Sequence, residues 1–235
     1  MIVACVGQKG GIGKSTIAIA LAAEGLARGR KVLLVDGDRQ ATVRTWAATA
    51  AEHERPVPTV VAMDHTMHRP GQLDHIARGY EVVIIDCPAR IGEVPASALM
   101  LADVALLPTG PSGADTWALA ETLDLVGKAQ TLRPSLRAAI VINKQTRTAL
   151  GRGVREALAT TGVPVLATEL FSRVAYQEAI NLGQGIAQYD AASPASAEIR
   201  KLFDEVFRGD EPDVEKAKAK RRKPAQAASA RRAAR

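Results

Sequence analysis

Short, near-continuous runs of Val, Ile and Leu alternate along the chain with longer segments whose apolar residues recur at helical spacing. The apolar runs are "IVACV" (2–6), "KVLLVD" (31–36), "PTVVAM" (58–63), "EVVIID" (81–86), "DVALLP" (103–108), "RAAIVIN" (137–143) and "VPVLAT" (163–168). A strand with one wet face would alternate apolar and polar residues, whereas unbroken apolar runs are covered on both faces. The pattern therefore predicts an α/β fold: a mostly parallel twisted sheet of about seven to eight strands with helices on both faces and right-handed crossovers. Helices are expected near 14–28, 41–53, 71–78, 93–101, 114–130, 151–160, 173–182 and 195–207, with Asp115 and Ser172 as N-caps.

Composition agrees with one globular domain, 47% of the 235 residues being apolar and 24% charged. No apolar run approaches the roughly 18 to 20 residues of a spanning helix, and the chain opens on a strand instead of a charged leader, so a cytoplasmic protein is expected. Cys5 and Cys87 lie in or beside strand-like runs and read as buried reduced thiols. Charge divides the chain more sharply. Nine of the 31 Lys and Arg fall in Lys216–Arg235 with no acid among them, which leaves 22 basic against 25 acidic residues over 1–215, a net of −3. The segment "KAKAKRRKPAQAASARRAAR" has no apolar side chain larger than alanine and cannot bury enough surface to offset chain entropy. Two parts are expected: a folded domain over 1–208 and a disordered basic tail over 209–235. The tail is either a solubilising end or a polyanion contact, with DNA the first such partner and Lys220, Arg221, Arg222 and Lys223 its densest cations.

Chemistry concentrates after the first strand. "GQKGGIGKST" (7–16) leads into an alanine-rich helix, the strand–loop–helix context in which a glycine-rich loop holds phosphate. Gly10, Gly11 and Gly13 let the backbone N–H groups around Ile12 turn inward, and the helix N-terminus adds partial positive charge. Lys14 reaches the β- and γ-phosphates, Ser15 offers a hydroxyl to Mg²⁺ and Thr16 touches the α-phosphate, so ATP and Mg²⁺ are the expected cofactors. The strict pattern wants glycine where Gln8 stands, and a second lysine, Lys9, precedes the glycines. Asp36 and Asp86 end the second and fourth apolar runs, where carboxylates converge on the crevice beyond a parallel sheet and can hold Mg²⁺ through water. Either alone could equally be a plain strand-end carboxylate.

The stretch Lys9–Thr16, followed in order by "VDGDRQ" (35–40) and "VVIIDCPA" (82–89), resembles the deviant phosphate loop and next two motifs of the ParA/MinD class of ATPases. The likeness covers residues 1–207 and is closest to small, ParF-like partition or cargo-positioning ATPases. It implies a P-loop NTPase fold and weak hydrolysis of ATP to ADP and phosphate. Lys9 would act in catalysis beside Lys14 by crossing into the partner subunit's nucleotide in a face-to-face homodimer, and would point to solvent without that partner. Asp38 would orient the attacking water. Asn143 would meet the adenine edge; an ordinary turn or cap asparagine is the other reading. Backbone around 168–171 would close the other side of the base. "FSRVAYQEAINLGQG" (171–185) resembles a family segment whose basic residues face DNA, which makes Arg173 a DNA contact or else a surface-helix residue. Arg39 stands where many relatives have proline.

The implied function is a positioning cycle. The ATP dimer binds nucleoid DNA without sequence preference. A ParB-like, centromere-binding or cargo adaptor then stimulates hydrolysis and releases it, segregating a plasmid or chromosome or positioning a protein assembly. No membrane partner is expected. A MinD-like membrane ATPase would use "EIRKLFDEVF" as an amphipathic anchor, but that stretch reads as the last domain helix. A dethiobiotin-synthetase-like ligase would need neither Lys9 nor a basic tail. Four histidines fall between His53 and His75, and His65 and His68 have helix-compatible metal spacing without a third firm ligand. Trp46 and Trp117 read as core or interface residues.

Overall fold

The computed structural model describes residues 1–146 and 149–207. Elements alternate from the start: β1 (Ile2–Cys5), α1 (Lys14–Ala27), β2 (Val32–Asp36), α2 (Thr42–Glu52), β3 (Thr59–Ala62), α3 (Leu73–Ala77), β4 (Val82–Asp86) and α4 (Glu93–Leu99). The chain continues through β5 (Val104–Thr109), α5 (Gly113–Leu132), β6 (Arg137–Gln145), α6 (Ala149–Ala159), β7 (Val165–Phe171), α7 (Val174–Asn181), α8 (Ile186–Tyr189) and α9 (Pro194–Phe207). The strands form one seven-stranded sheet in the order β3-β2-β4-β1-β5-β6-β7. Every pairing is parallel. β1 thus lies where the strand order turns, with β4 on one side and β5 on the other, which is where open parallel sheets leave a crevice.

The unbroken apolar runs have the cause expected of them. Val3, Cys5, Val32, Leu34 and Ile84 face one buried cluster with α1, α2 and α9, while Ala4, Val6, Leu33, Val35, Val83 and Ile85 face a second beneath α4 and α5. Both cysteines are buried free thiols. Helix α9 buries Ile199, Leu202, Phe203, Val206 and Phe207, and the rings of Phe203 and Phe207 stack at 4.4 Å. Each such side chain contributes about 1.5–3 kcal/mol when fully buried, so the apolar face of α9 belongs to the core.

Several local expectations change. The N-cap of α5 is Ser112, and Asp115 is the N3 residue that completes a reciprocal capping box. Arg173, not Ser172, precedes α7, and it makes no side-chain cap. β7 runs three residues past the expected 168 because its pairing with β6 is bulged, Ile142 opposing Glu169 and Gln145 opposing Phe171. Within that irregular stretch, Ala167 and Thr168 donate their N–H groups to the Glu205 carboxylate of α9 instead of to a neighbouring strand. The four-residue α8 has no periodicity long enough to signal it. Trp46 is in the core and donates its indole N–H to Gln184 O, but Trp117 is 79% exposed.

Candidate functional site

The phosphate loop leaves β1 and enters α1 through backbone that only glycine takes easily, with φ of +71° at Gly11 and +97° at Gly13. Gly13 is required twice. A Cβ there would sit 2.2 Å from Asn143 Nδ2, because the Asn143 amide comes in from the end of β6 and donates to Ile12 O at 2.7 Å. The adenine-edge candidate is therefore also a brace under the loop. Lys14 is buried and donates to Lys9 O at 3.0 Å across the same loop. Burial lowers its pKa, with Asp86 the largest of the charges that oppose the shift.

Asp36 and Asp86 are register partners on adjacent strands, but their surroundings differ. Asp36 is fully committed: Oδ1 accepts from Asp38 N at 3.1 Å, and Oδ2 accepts from both the N–H and Nε of Arg44, at 3.2 and 3.0 Å. Arg44, three residues into α2, did not stand out in the sequence. Asp86 is 0% exposed, and neither of its carboxylate oxygens has a hydrogen bond of regular geometry, the Ser15 hydroxyl being the donor that approaches them. Burial raises its pKa to about 7; the Ser15 hydroxyl and Lys14 pull it down, while Asp36 and Asp38 add to the rise. Gly37 keeps the loop after β2 against the end of β4, its N–H donating to the Asp86 main-chain carbonyl at 2.9 Å. Asp38 Oδ1 accepts from Gln40 N at 3.0 Å.

Lys9 departs from expectation in a single chain. Its ammonium does not point to solvent but pairs with Asp115 Oδ1 at 2.5 Å, with 43% of the side chain still exposed. Burial raises the Asp115 carboxyl, but hydrogen bonds from Lys9 and Ser112 outweigh it and hold the pKa below its ordinary value. The Ser112-x-x-Asp115 spacing of a capping box signals the cap in the sequence but not the approach of Lys9.

Gly10, Gly11, Gly13, Lys14, Ser15, Thr16, Asp38 and Asn143 line one crevice of about 540 Å³, a volume suited to a small ligand. Gln40, Thr42, Lys144, Phe171, Tyr176 and Gln177 complete it, and sequence reasoning had singled out none of their side chains. Asp36, Asp38, Arg39, Arg44 and Arg90 line a second hollow that adjoins it at Asp38 and Gln40. Ile12 is buried beneath the loop. Of the stretch expected to close the base, Phe171 lines the crevice, while the Thr168 and Phe171 N–H groups are taken up by Glu205 and Glu198. Arg173 lies on the crevice rim with its guanidinium on Glu198, and the tail cations Lys220, Arg221, Arg222 and Lys223 lie outside the described residues. His65 approaches Glu93 and His68 approaches Ser97, so the histidine pair turns to different partners.

The residues fit a magnesium-bound nucleotide. The left-handed glycines form a loop open to phosphate, Lys14 lies beneath it, and the orphaned oxygens of buried Asp86 are the kind of acceptors a hydrated hard cation satisfies. Among the described residues no group of three or more His, Cys, Asp or Glu could hold a metal ion alone. The remaining ligands of such an ion would be phosphate oxygens and water.

Comparison with known proteins agrees with this geometry. Maintenance of carboxysome distribution protein A of Halothiobacillus neapolitanus is 32% identical over 203 residues, covering 85% of this chain and 93% of its own. The chromosome-partitioning ATPase Soj of Thermus thermophilus is 29% identical, with 87% and 94% covered. The septum site-determining protein MinD of Pyrococcus horikoshii, solved with Mg-ADP, superposes with a TM-score of 0.69 at 21% identity, over 87% of this chain and 95% of that one. Residues 3–186 match the CobQ/CobB/MinD/ParA nucleotide binding domain, and the chain belongs to that family.

Proposed function

We propose that this protein is an ATP-dependent positioning ATPase. Two subunits dimerise around ATP and Mg²⁺, the dimer binds nucleoid DNA without sequence preference, and an adaptor on a plasmid, chromosome or protein cargo stimulates weak intrinsic hydrolysis that releases it. The observation that carries the reading is the pairing of two lysines on one glycine loop. Lys14 is buried in its own site, and Lys9 is half-exposed and held by an ion pair that a second subunit's phosphate charge could replace. The relatives named for carboxysome distribution and chromosome partitioning support the same class.

In this proposal each residue has a bounded task. Backbone N–H groups of Gly10–Gly13 and the α1 N-terminus hold the phosphates, with Lys14 on the β- and γ-phosphates and Thr16 on the α-phosphate. Bound Mg²⁺ supplies charge neutralisation between the phosphates. Ser15 and Asp86 would hold that ion and Asp36 would meet it through water; Asp36 also fixes the Asp38 N–H and the start of α2. Asp38 orients the attacking water and Lys9 stabilises charge from the partner subunit. Asn143 contacts the adenine edge. DNA contact falls to the tail, Lys220–Lys223 included; Arg173 would have to exchange Glu198 for a phosphate to join it.

A membrane role is disfavoured by α9, whose apolar residues are in the core, and among the described residues no helix is long and apolar enough to cross a membrane. The test is steady-state ATPase with and without random-sequence duplex DNA, alongside light scattering of the protein in Mg-ATP and Mg-ADP. Dimerisation in ATP and DNA-sensitive turnover are expected. A monomer in ATP whose turnover ignores DNA would overturn the reading in favour of a ligase-like enzyme.

A further inference from the structure

The β7 side of the crevice is built on one carboxylate. Glu198 of α9 accepts from Phe171 N–H at 3.2 Å and from the Tyr176 hydroxyl at 3.1 Å, a hydroxyl that also lies 3.4 Å from Ala195 O. On its other oxygen it accepts from Arg173 Nε and Nη2, at 3.0 and 2.6 Å. Phe171, Arg173 and Tyr176 all line the crevice that holds the phosphate loop. Their polar groups are turned toward Glu198, and the guanidinium lies over the Phe171 ring, 5.6 Å from its centroid. The charges of Arg173 and Glu198 cancel locally, so this wall offers little to a polyphosphate. What it offers is flat surface: an aromatic ring and a guanidinium plane held in fixed positions, on which nucleobases stack.

The position of β7 explains why helix carboxylates are needed. As the edge strand it has no neighbour beyond it, and its pairing with β6 is irregular before Glu169, so the N–H groups of Ala167, Thr168 and Phe171 are taken up by Glu205 and Glu198 of α9. Glu198 thus does two things at once, closing the end of β7 and setting the planes of the residues beside it.

We infer that Glu198 is a positioning residue for the nucleobase: it fixes Phe171, Arg173 and Tyr176 as a stacking wall, so that base affinity depends on α9. The inference rests on the reading of the crevice as an ATP site, and the experiment separates the two. Full-length wild type, Glu198→Gln and Phe171→Ala are titrated calorimetrically with ADP and with inorganic tripolyphosphate, both in Mg²⁺. Both variants are expected to lose about tenfold in ADP affinity while tripolyphosphate affinity stays within about twofold of wild type. Phe171→Ala removes only a half-buried side chain at the crevice, so it reports on the wall even if Glu198→Gln folds poorly. Unchanged ADP affinity in either variant, or parallel loss of both ligands in Glu198→Gln, would overturn the assignment. A wild type that binds tripolyphosphate as tightly as ADP would remove the base wall and leave the phosphate site standing. A wild type that binds neither would overturn the ATP-site reading itself.

Discussion

Lys9 Nζ and Asp115 Oδ1, 106 residues apart in the chain, meet at 2.5 Å beside the phosphate loop. The pair joins the loop after β1 to the start of α5 and holds in the single chain the lysine proposed to act across a dimer. Its two members should then have opposite effects. Lys9→Ala is expected to leave a monomer that binds nucleotide normally, since Lys14 contacts its own phosphates. Asp115→Asn keeps the cap on Ser112 but removes the competing charge. A partly exposed pair is worth roughly 1 kcal/mol and each subunit gives one up, so about a thirtyfold tighter dimer in Mg-ATP is expected. Light scattering over a concentration series reads both. Normal dimerisation of Lys9→Ala would end the trans assignment.

Asp38→Ala should trap the ATP-bound dimer. The main-chain N–H of position 38 still donates to Asp36 after the substitution, which removes the Gln40 N–H contact to Asp38 Oδ1 and leaves Lys14, Ser15 and Asp86 in place. Binding therefore survives while turnover falls by about 10² or more. Single-turnover hydrolysis of bound ATP is the measurement, and wild-type rates in this variant would refute the role.

How far the sequence carried the site depends on the range of the interactions involved. The loop, both strand-end aspartates and the parallel sheet were legible because each is written in consecutive residues: glycines where φ is positive, and apolar runs where both faces are covered. The Asn143 brace under Ile12, 131 residues away, and the Glu198 hub on β7 were not, since they depend on how separate elements dock. Asp115 was read as a local cap and is also the partner of Lys9. The commitment of Asp36 to Arg44 and the poorer satisfaction of Asp86 were not legible, since in the sequence both are like strand-end carboxylates.

That asymmetry gives a pH test in the nucleotide-free protein. The Asp86 carboxyl, at about 7 when folded, lies above its ordinary value of 3.8. Between those values the folded state keeps a proton that the unfolded state has lost. Stability from this group is therefore full at low pH, falls as pH rises through the window and is gone above it. Asp86→Asn does not titrate, so its Tm minus that of wild type should grow between about pH 4 and about pH 7 and level off above, measured without nucleotide or Mg²⁺. Several degrees are expected, because about 1 kcal/mol moves Tm by roughly 2–4 °C at this size. A constant offset across the range would show that another group carries the charge penalty.

The last prediction concerns DNA. Residues 1–208 carry 22 basic and 21 acidic residues, a net charge of +1, so this part is a poor polyanion binder by bulk charge, and Lys216–Arg235 holds nine cations without an acid. If these supply the attraction, dimerisation supplies the switch by bringing two tails to one particle. With about five phosphates engaged per dimer, log K should fall against log salt with a slope of about −4.5, irrespective of sequence. Deleting residues 209–235 should weaken binding of the ATP-loaded protein and flatten that slope. Basal ATPase should stay nearly unchanged, because the crevice and its supports lie between Lys9 and Glu205. Fluorescence anisotropy with random-sequence duplex DNA at several salt concentrations, on both proteins in ATP and in ADP, makes the comparison. Equal affinity and slope for the two proteins would make the tail a bystander. Equal affinity in ATP and ADP would remove the nucleotide switch from DNA binding, because a dimer formed only around ATP cannot then be what brings the cations together.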